Sequence, residues 1–311
     1  MGLRVLSLFD GMSCGQIALR QLGIPVEAYY ASEVDKDAIS VTQANFPDTI
    51  QLGDVRGVDV DKLGRIDLLL GGSPCQDFSS VGTQRGMVNT SGARTYNLAK
   101  YLELKTSGTE FVGQSFLFWE YVRILMELRD RNPHLKFLLE NVRMRRCWEE
   151  VINHALGLRP VMINSARVSA QNRHRNYWSN IRVARSSDGY LVTAIPQPME
   201  RGLKLRDVIC EDGGGIPVRE RYLKKTFMRF SGKIAFPPYD KKACCLLTHD
   251  GTFAQVIHQD GNSRYLNLVE RRLLQTIPDW YRMPCSKSKA EAMLGNGWTV
   301  EVIMHILRFL E

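Results

Sequence analysis

Residues 66–80 read IDLLLGGSPCQDFSS. The apolar run Ile66–Leu70 has the length and character of a buried strand, and it stops at Gly71, Gly72, Ser73 and Pro74. Glycine and proline punctuate the ends of elements, and a thiol, Cys75, follows the turn directly. An isolated cysteine usually reads as a small buried hydrophobe. A Gly-Gly-Ser-Pro turn argues against a core role here and sets the thiol at a strand tip. In an open parallel sheet that tip is where ligands bind.

The flanking sequence predicts such a sheet. LRVLSLF (3–9) reads as a buried strand, DGMSCG (10–15) as a glycine turn, and GQIALRQLG (15–23) as a helix closed by Gly23. VEAYYASE (26–33), TIQLGDV (49–55), the run ending at Gly72 and KFLLEN (136–141) read as further strands. DKDAISVTQANF (35–46) and FLFWEYVRILMELRD (116–130) have helical spacing. Strands alternating with helices imply an α/β, Rossmann-like, doubly wound and mostly parallel sheet. Past about residue 184 the alternation fails, and prolines, glycines and short segments dominate to about 285. A helical pattern then returns with Val300, Ile303, Ile306, Leu307 and Leu310 apolar. The expected organisation is a first domain over 1–184, a smaller domain over 185–285, and a terminal helix over 286–311 that returns to the first.

Bulk properties narrow the partners. Hydrophobic residues make up 44% and charged residues 24% of the 311 residues, ordinary for a soluble globular chain. No apolar run approaches the ~20 residues that span a bilayer, so no membrane partner is expected, and the N-terminus lacks a signal-peptide layout. Seven scattered cysteines form no C-x-x-C pair, which predicts no metal and a reducing compartment. The net charge is +8, and Arg201–Lys242 holds eleven lysines and arginines against five acids. That stretch is either a solvated basic face or a surface that tracks phosphates.

Individual residues suggest chemistry. Gly11 and Gly15 would let a ligand approach the backbone at a helix N-terminus, although the spacing is not G-x-G-x-x-G. Glu33 ends the second strand, placed to accept both hydroxyls of a ribose, and Asp54 ends the next, placed to accept from an adenine amino group. Each acid alone is commonplace in α/β proteins. Together, with no phosphate cradle, they describe an adenosine site suited to S-adenosylmethionine. Glu140 ends a neighbouring strand; a thiolate at Cys75 and an acid at Glu140 could activate an electron-poor ring together. Arg173 and Arg175 in SAQNRHRNYW (169–178) have period-two spacing, so on a strand both would face one side and could bind an oxygen-rich ligand. An exposed basic strand is the plainer reading.

The order FDGMSCG, SE, GDV, GGSPCQDFS, LLENV, QNRHR, a basic segment and LGNGWTV resembles the cytosine carbon-5 DNA methyltransferases across nearly the whole chain. Within that family LFDGMSCG, YASEVDKDAI, GDVRGV, VMINSARVSA and the tryptophan of LGNGWTV look most like the eukaryotic de novo enzymes, in a compact form similar to a bacterial or viral stand-alone enzyme. The resemblance implies a class I S-adenosylmethionine-dependent fold and a smaller target-recognition domain. It implies covalent addition of Cys75 to carbon 6 of a flipped cytosine in double-stranded DNA. Glu140, Arg173 and Arg175 would hold the base. Phe9, Asp10, Gly11, Met12, Ser13 and Cys14 would form the cofactor turn; Glu33, with Val34 beside it, would take the ribose, and Asp54 with Val55 the adenine. Asn296, Gly297 and Trp298 would close over the methionine end, and Asn141 would brace the cysteine loop.

The family usually has a shorter loop where this chain carries VNTSGARTYNLAKYLELKTSGTEFV (88–112). That insertion is expected to be mobile and to touch DNA through Arg94, Lys100 or Lys105, a plain surface insertion being the alternative. A catalytically silent relative would lack the cysteine, the glutamate or the cofactor turn, all present here. The transfer-RNA branch has Pro-Pro-Cys and Cys-Phe-Thr, both absent here. The expected location is the cytoplasm of a bacterium or phage-infected host, or the nucleus of a eukaryote; whether the chain forms a homodimer is left open.

Overall fold

The computed structural model describes residues 2–74, 87–90, 92, 94–210, 240–248, 256–259 and 262–310. Nine strands and five helices of the first part run β1 (Leu3–Leu8), α1 (Cys14–Gln21), β2 (Val26–Ser32), α2 (Lys36–Asn45), β3 (Ile50–Gln51), β4 (Leu68–Gly71), β5 (Val88–Asn89), α3 (Leu98–Thr106), β6 (Phe111–Val112), α4 (Phe118–Arg131), β7 (Lys136–Val142), α5 (Arg146–Leu156), β8 (Val161–Asn164) and β9 (His174–Ser179). Seven of these strands make one sheet in the order β3-β2-β1-β4-β7-β9-β8. Pairs from β3 to β7 are parallel, and β9 runs antiparallel to both its neighbours. The expected doubly wound, mostly parallel α/β sheet is therefore what forms.

Period-two alternation sorts the strands into two cores. Val5, Leu68, Leu70, Leu138 and Tyr177 face α1, α2 and the C-terminal helices. Leu6, Leu8, Leu69, Leu139 and Trp178 face α4 and α5. Because both faces are covered, the strands read as continuous apolar runs. At the end of β4, a Cβ on Gly71 would lie 2.7 and 2.8 Å from ring carbons of Tyr121 on α4. Glycine there lets the strand tip sit flat against the aromatic ring.

Two expectations change, and the insertion takes a definite form. The segment 49–55 pairs only through Ile50–Gln51 and then enters a 3-10 turn, Val55–Gly57, capped by the Asp54 carboxylate. The C-terminal pattern is two helices, α7 (Lys287–Asn296) and α8 (Val300–Leu307), broken at Gly297–Thr299; a helix α6 (Leu268–Leu274) precedes them. The insertion is a docked element: β5 pairs with β6, and α3 packs on α4. Its basic residues are engaged within the protein. Lys100 pairs with Glu103, Lys105 with the buried Glu120, and the Arg94 guanidinium lies 6.0 Å from the Trp148 ring centre. A small third core joins Ala170 to Leu205, Val208, Ala243, Leu246, Leu266 and Leu274. The basic residues from Arg219 to Lys233 lie outside the described residues.

Candidate active site

The site residues foreseen from sequence that are described follow β1, β2 and β3, sit within β7 or at the start of β9, or lie at the end of α7 and in the break after it. The turn after β1 is conformationally demanding: Phe9, Gly11 and Ser13 all have positive φ, at 58, 56 and 57°. Left-handed backbone at non-glycine residues costs of order 1–3 kcal/mol each and clusters at ligand sites. The turn is over-determined. Ser13 N donates to Asp10 O at 2.9 Å, Tyr29 Oη to Asp10 Oδ1 at 2.9 Å and Tyr281 Oη to Met12 O at 2.6 Å. Nothing in the sequence marked Tyr29 or Tyr281, because their contribution is one hydroxyl delivered from distant chain. Cys14 is buried in the same turn, and burial pushes its thiol up to about 12, so it lines the site as a neutral group.

Glu33 accepts from the backbone N–H groups of Gly11 (2.8 Å), Val34 (2.7 Å) and Asp35 (2.9 Å). The carboxylate is thus fixed before any ligand arrives, with lone pairs left for a diol. Val34 beside it is 66% exposed, an apolar side chain with nothing over it, and a Cβ on Gly11 or Gly53 would meet no atom within 4 Å. Asp54 caps the 3-10 turn and is gripped by Arg56, whose Nε lies 3.0–3.1 Å from both its oxygens. That contact holds its carboxyl below the usual range. Asp10, Glu33 and Asp54 with an uncovered valine and open backbone suit a cationic adenosine compound and not a polyphosphate. The set of carboxylates fits S-adenosylmethionine.

Glu140, near the end of β7, is held on both oxygens. Arg175 Nε stands 3.0 Å from Oε1 and Trp298 Nε1 donates to Oε2 at 3.2 Å. Trp298 thereby joins the two halves of the site: a Cβ on Gly72 would lie 3.0 Å from its Nε1 and 3.4 Å from Glu140 Oε2, and one on Gly297 would lie 3.4 Å from Cys14 Sγ. Next along β7, Asn141 Nδ2 donates to Ser73 Oγ at 3.0 Å and Ser73 O at 3.2 Å, pinning the turn that leads to Cys75. Cys75 itself lies outside the described residues. Asn296 ends α7 with Gly297 as its cap.

Arg173 is the correction. β9 begins at His174, so Arg173 precedes the strand; its guanidinium turns into the protein while that of Arg175 meets Glu140. It is 2% exposed. Its guanidinium donates to the carbonyls of Leu246 (3.2 Å), Gly295 (2.9 Å) and Gly297 (2.8 Å), which leaves it a brace and not a base-binding group. Sequence reasoning also missed Cys245, whose Sγ lies 3.3 Å from Arg173 Nη1 and 3.8 Å from Arg175 Nη2. Burial alone would raise that thiol, but the two guanidiniums outweigh it and hold it below its usual range.

Asp10 makes a prediction about pH. Burial, aided by the nearby Glu33, raises its carboxyl to about 6 against the hydrogen bonds of Ser7, Ser13 and Tyr29. Below about pH 4 the group is neutral folded and unfolded and contributes nothing. Between about 4 and 6 the unfolded chain ionises first, so the folded state binds more protons and stability falls as pH rises. The loss should reach about 2–3 kcal/mol by pH 7. Urea titrations of wild type and Asp10→Asn across this range check it: the difference should grow with pH, and a flat difference would refute it.

Among the described residues, no helix is long and apolar enough to cross a membrane, and no three His, Cys, Asp or Glu side chains converge as metal ligands. The strand order is that of class I S-adenosylmethionine-dependent methyltransferases. The fold is shared with the Dnmt2 methyltransferase of S. pombe (TM-score 0.69, 16% identity, 99% of this chain and 98% of that one). It is also shared with a DNMT2 variant from Spodoptera frugiperda (TM-score 0.65, 20% identity, 99% of each chain). In sequence the chain is 35% identical over 157 residues to the orphan methyltransferase of Bacillus phage rho11s, covering 50% of this chain and 25% of that protein. It therefore aligns with only about a quarter of the phage relative's length. With the type II methyltransferase M.NlaX of Neisseria lactamica it shares 25% identity over 320 residues, 97% of this chain and 94% of that one. The family model for C-5 cytosine-specific DNA methylases matches residues 3–112 and 217–311. The chain belongs to the C-5 cytosine-specific DNA methylase family.

Proposed function

We propose that the chain methylates carbon 5 of cytosine in double-stranded DNA, with S-adenosylmethionine as methyl donor. The observation that carries this reading is Glu140, clamped by Arg175 and Trp298 beside the Ser73 turn that presents Cys75. Carbon 5 of cytosine is a weak nucleophile in an intact aromatic ring. Cys75 adds as thiolate to carbon 6, and the ring electrons move to carbon 5. Glu140 holds the ring nitrogen and exocyclic amine, which favours that addition, and Arg175 fixes Glu140 and faces the base's carbonyl oxygen. When bound, the cofactor supplies an electrophilic methyl group. Loss of the carbon-5 proton then expels Cys75 and restores aromaticity. The cytosine must leave the duplex, at a cost of a few kcal/mol.

The motif likeness to the eukaryotic de novo enzymes, in a stand-alone form, is part of the same reading. So is a target-recognition unit over about 185–285, whose basic Arg201–Lys242 stretch suits phosphates. Bacterial and phage relatives favour the cytoplasm of a bacterial or phage-infected cell. The test incubates wild type and Cys75→Ser with labelled S-adenosylmethionine and either duplex DNA or transfer RNA, followed by bisulfite sequencing. Label in DNA that vanishes in Cys75→Ser supports the reading. Label in RNA alone moves the substrate, and no label in either overturns it.

A further inference from the structure

We infer that the 88–112 insertion is a buttress for the adenine side of the cofactor site, acting as a set of positioning residues through Tyr101, Lys105, Glu120 and Arg123. This rests on reading that site as an adenosine site. Glu120 on α4 is fully buried. It accepts from Tyr101 Oη at 2.6 Å, Lys105 Nζ at 2.5 Å and Arg123 Nε at 2.7 Å. Two of these three partners come from α3 of the insertion.

The network continues to the cofactor turn. Arg123 Nη2 donates to Val58 O at 3.2 Å and Val55 O at 3.4 Å. Those carbonyls flank the 3-10 turn that Asp54 caps and Val55 begins. The same guanidinium also has an exposed partner: Nη1 lies 3.0 Å from both oxygens of Glu127. Glu120 thus competes with Glu127 for the position of Arg123. Lys105 and Tyr101 keep Glu120 facing inward, since a buried carboxylate is tolerated only when its oxygens are fully partnered. The insertion touches the turn electrostatically too, because Lys105, after Arg56, contributes to the depressed Asp54 carboxyl. An aromatic group of Tyr101, Phe111 and Phe116, with Phe111 and Phe116 stacked at 4.6 Å, holds α3 in place.

The test measures S-adenosylhomocysteine binding by calorimetry in the full chain. Tyr101→Phe with Lys105→Met keeps the packing and leaves Glu120 its Arg123. Its Kd should rise about five- to tenfold, the low end of coupling between linked sites. Amides 53–59 should exchange faster, while kcat at saturating cofactor and the Kd and salt dependence for DNA stay at wild-type values. Lys105→Arg alone should remain within about twofold, as should Lys100→Ala on the exposed face of α3. A double variant that binds S-adenosylhomocysteine as wild type does, or that loses DNA affinity instead, overturns this role alone. A wild-type chain that does not bind S-adenosylhomocysteine overturns the adenosine-site reading and this role with it.

Discussion

Glu140→Gln should lower kcat/KM for methyl transfer to DNA by about 10²–10⁴-fold, the range expected for losing a group that assists proton movement in the transition state. The loss should fall on kcat, with S-adenosylhomocysteine affinity within about threefold of wild type. The geometry gives the reason. Both carboxylate oxygens already face a donor, Arg175 Nε and Trp298 Nε1, so the group is fixed in orientation while retaining an outward lone pair on each oxygen. A glutamine of the same shape must point its amide NH2 at one of those two donors. The amide then turns, and the edge that should meet the cytosine is misaligned as well as neutral. Trp298 remains packed near Gly15 and Gly72, which is why cofactor binding should survive. Single-turnover kinetics with saturating cofactor and DNA separate the terms. A kcat within fivefold of wild type would remove Glu140 from the chemistry.

The residues legible in the sequence share one property: each sits at a strand end where a local signal marks it. Gly11 and Ser13 announce a turn, Glu33 and Asp54 follow apolar runs, and Gly72–Pro74 precede Cys75. Residues that act through long-range partners were not legible. Lys105 reads as a surface charge because Glu120, fifteen residues away, reads as the polar face of an amphipathic helix; only the packing of α3 on α4 brings the two together. Period two does put Arg173 and Arg175 on one side, where both guanidiniums approach Cys245 Sγ, but it gives no sign that Arg173 is buried among backbone carbonyls. Its partners are carbonyls 73 to 124 positions along the chain. The break at Gly297–Thr299 was masked by apolar spacing that continues through both C-terminal helices.

Arg173→Met should be the most destabilising single change at this site, lowering stability by about 3–5 kcal/mol and the unfolding temperature by roughly 10 °C. Methionine fills much of the same volume, so the effect isolates the hydrogen bonds. The carbonyls of Leu246 and Gly295 lose their guanidinium donor inside the protein, and Gly297 O keeps only Gln275 Nε2 at 3.0 Å. A buried acceptor left without a donor costs about 1–3 kcal/mol. The consequence reaches both halves of the site, because these bonds tie the segment carrying Trp298 to the approach of β9. A loosened Trp298 releases one side of Glu140 and uncovers the cofactor turn. Methyl transfer and S-adenosylhomocysteine affinity should therefore fall together, unlike the split expected for Glu140→Gln. Should Arg173→Met fail to fold, Arg173→Lys keeps the question open to measurement. One ammonium cannot span three carbonyls, so it should recover only part of the stability. An Arg173→Met protein melting within about 3 °C of wild type would mean that other donors already satisfy those carbonyls, and the brace would have to be abandoned.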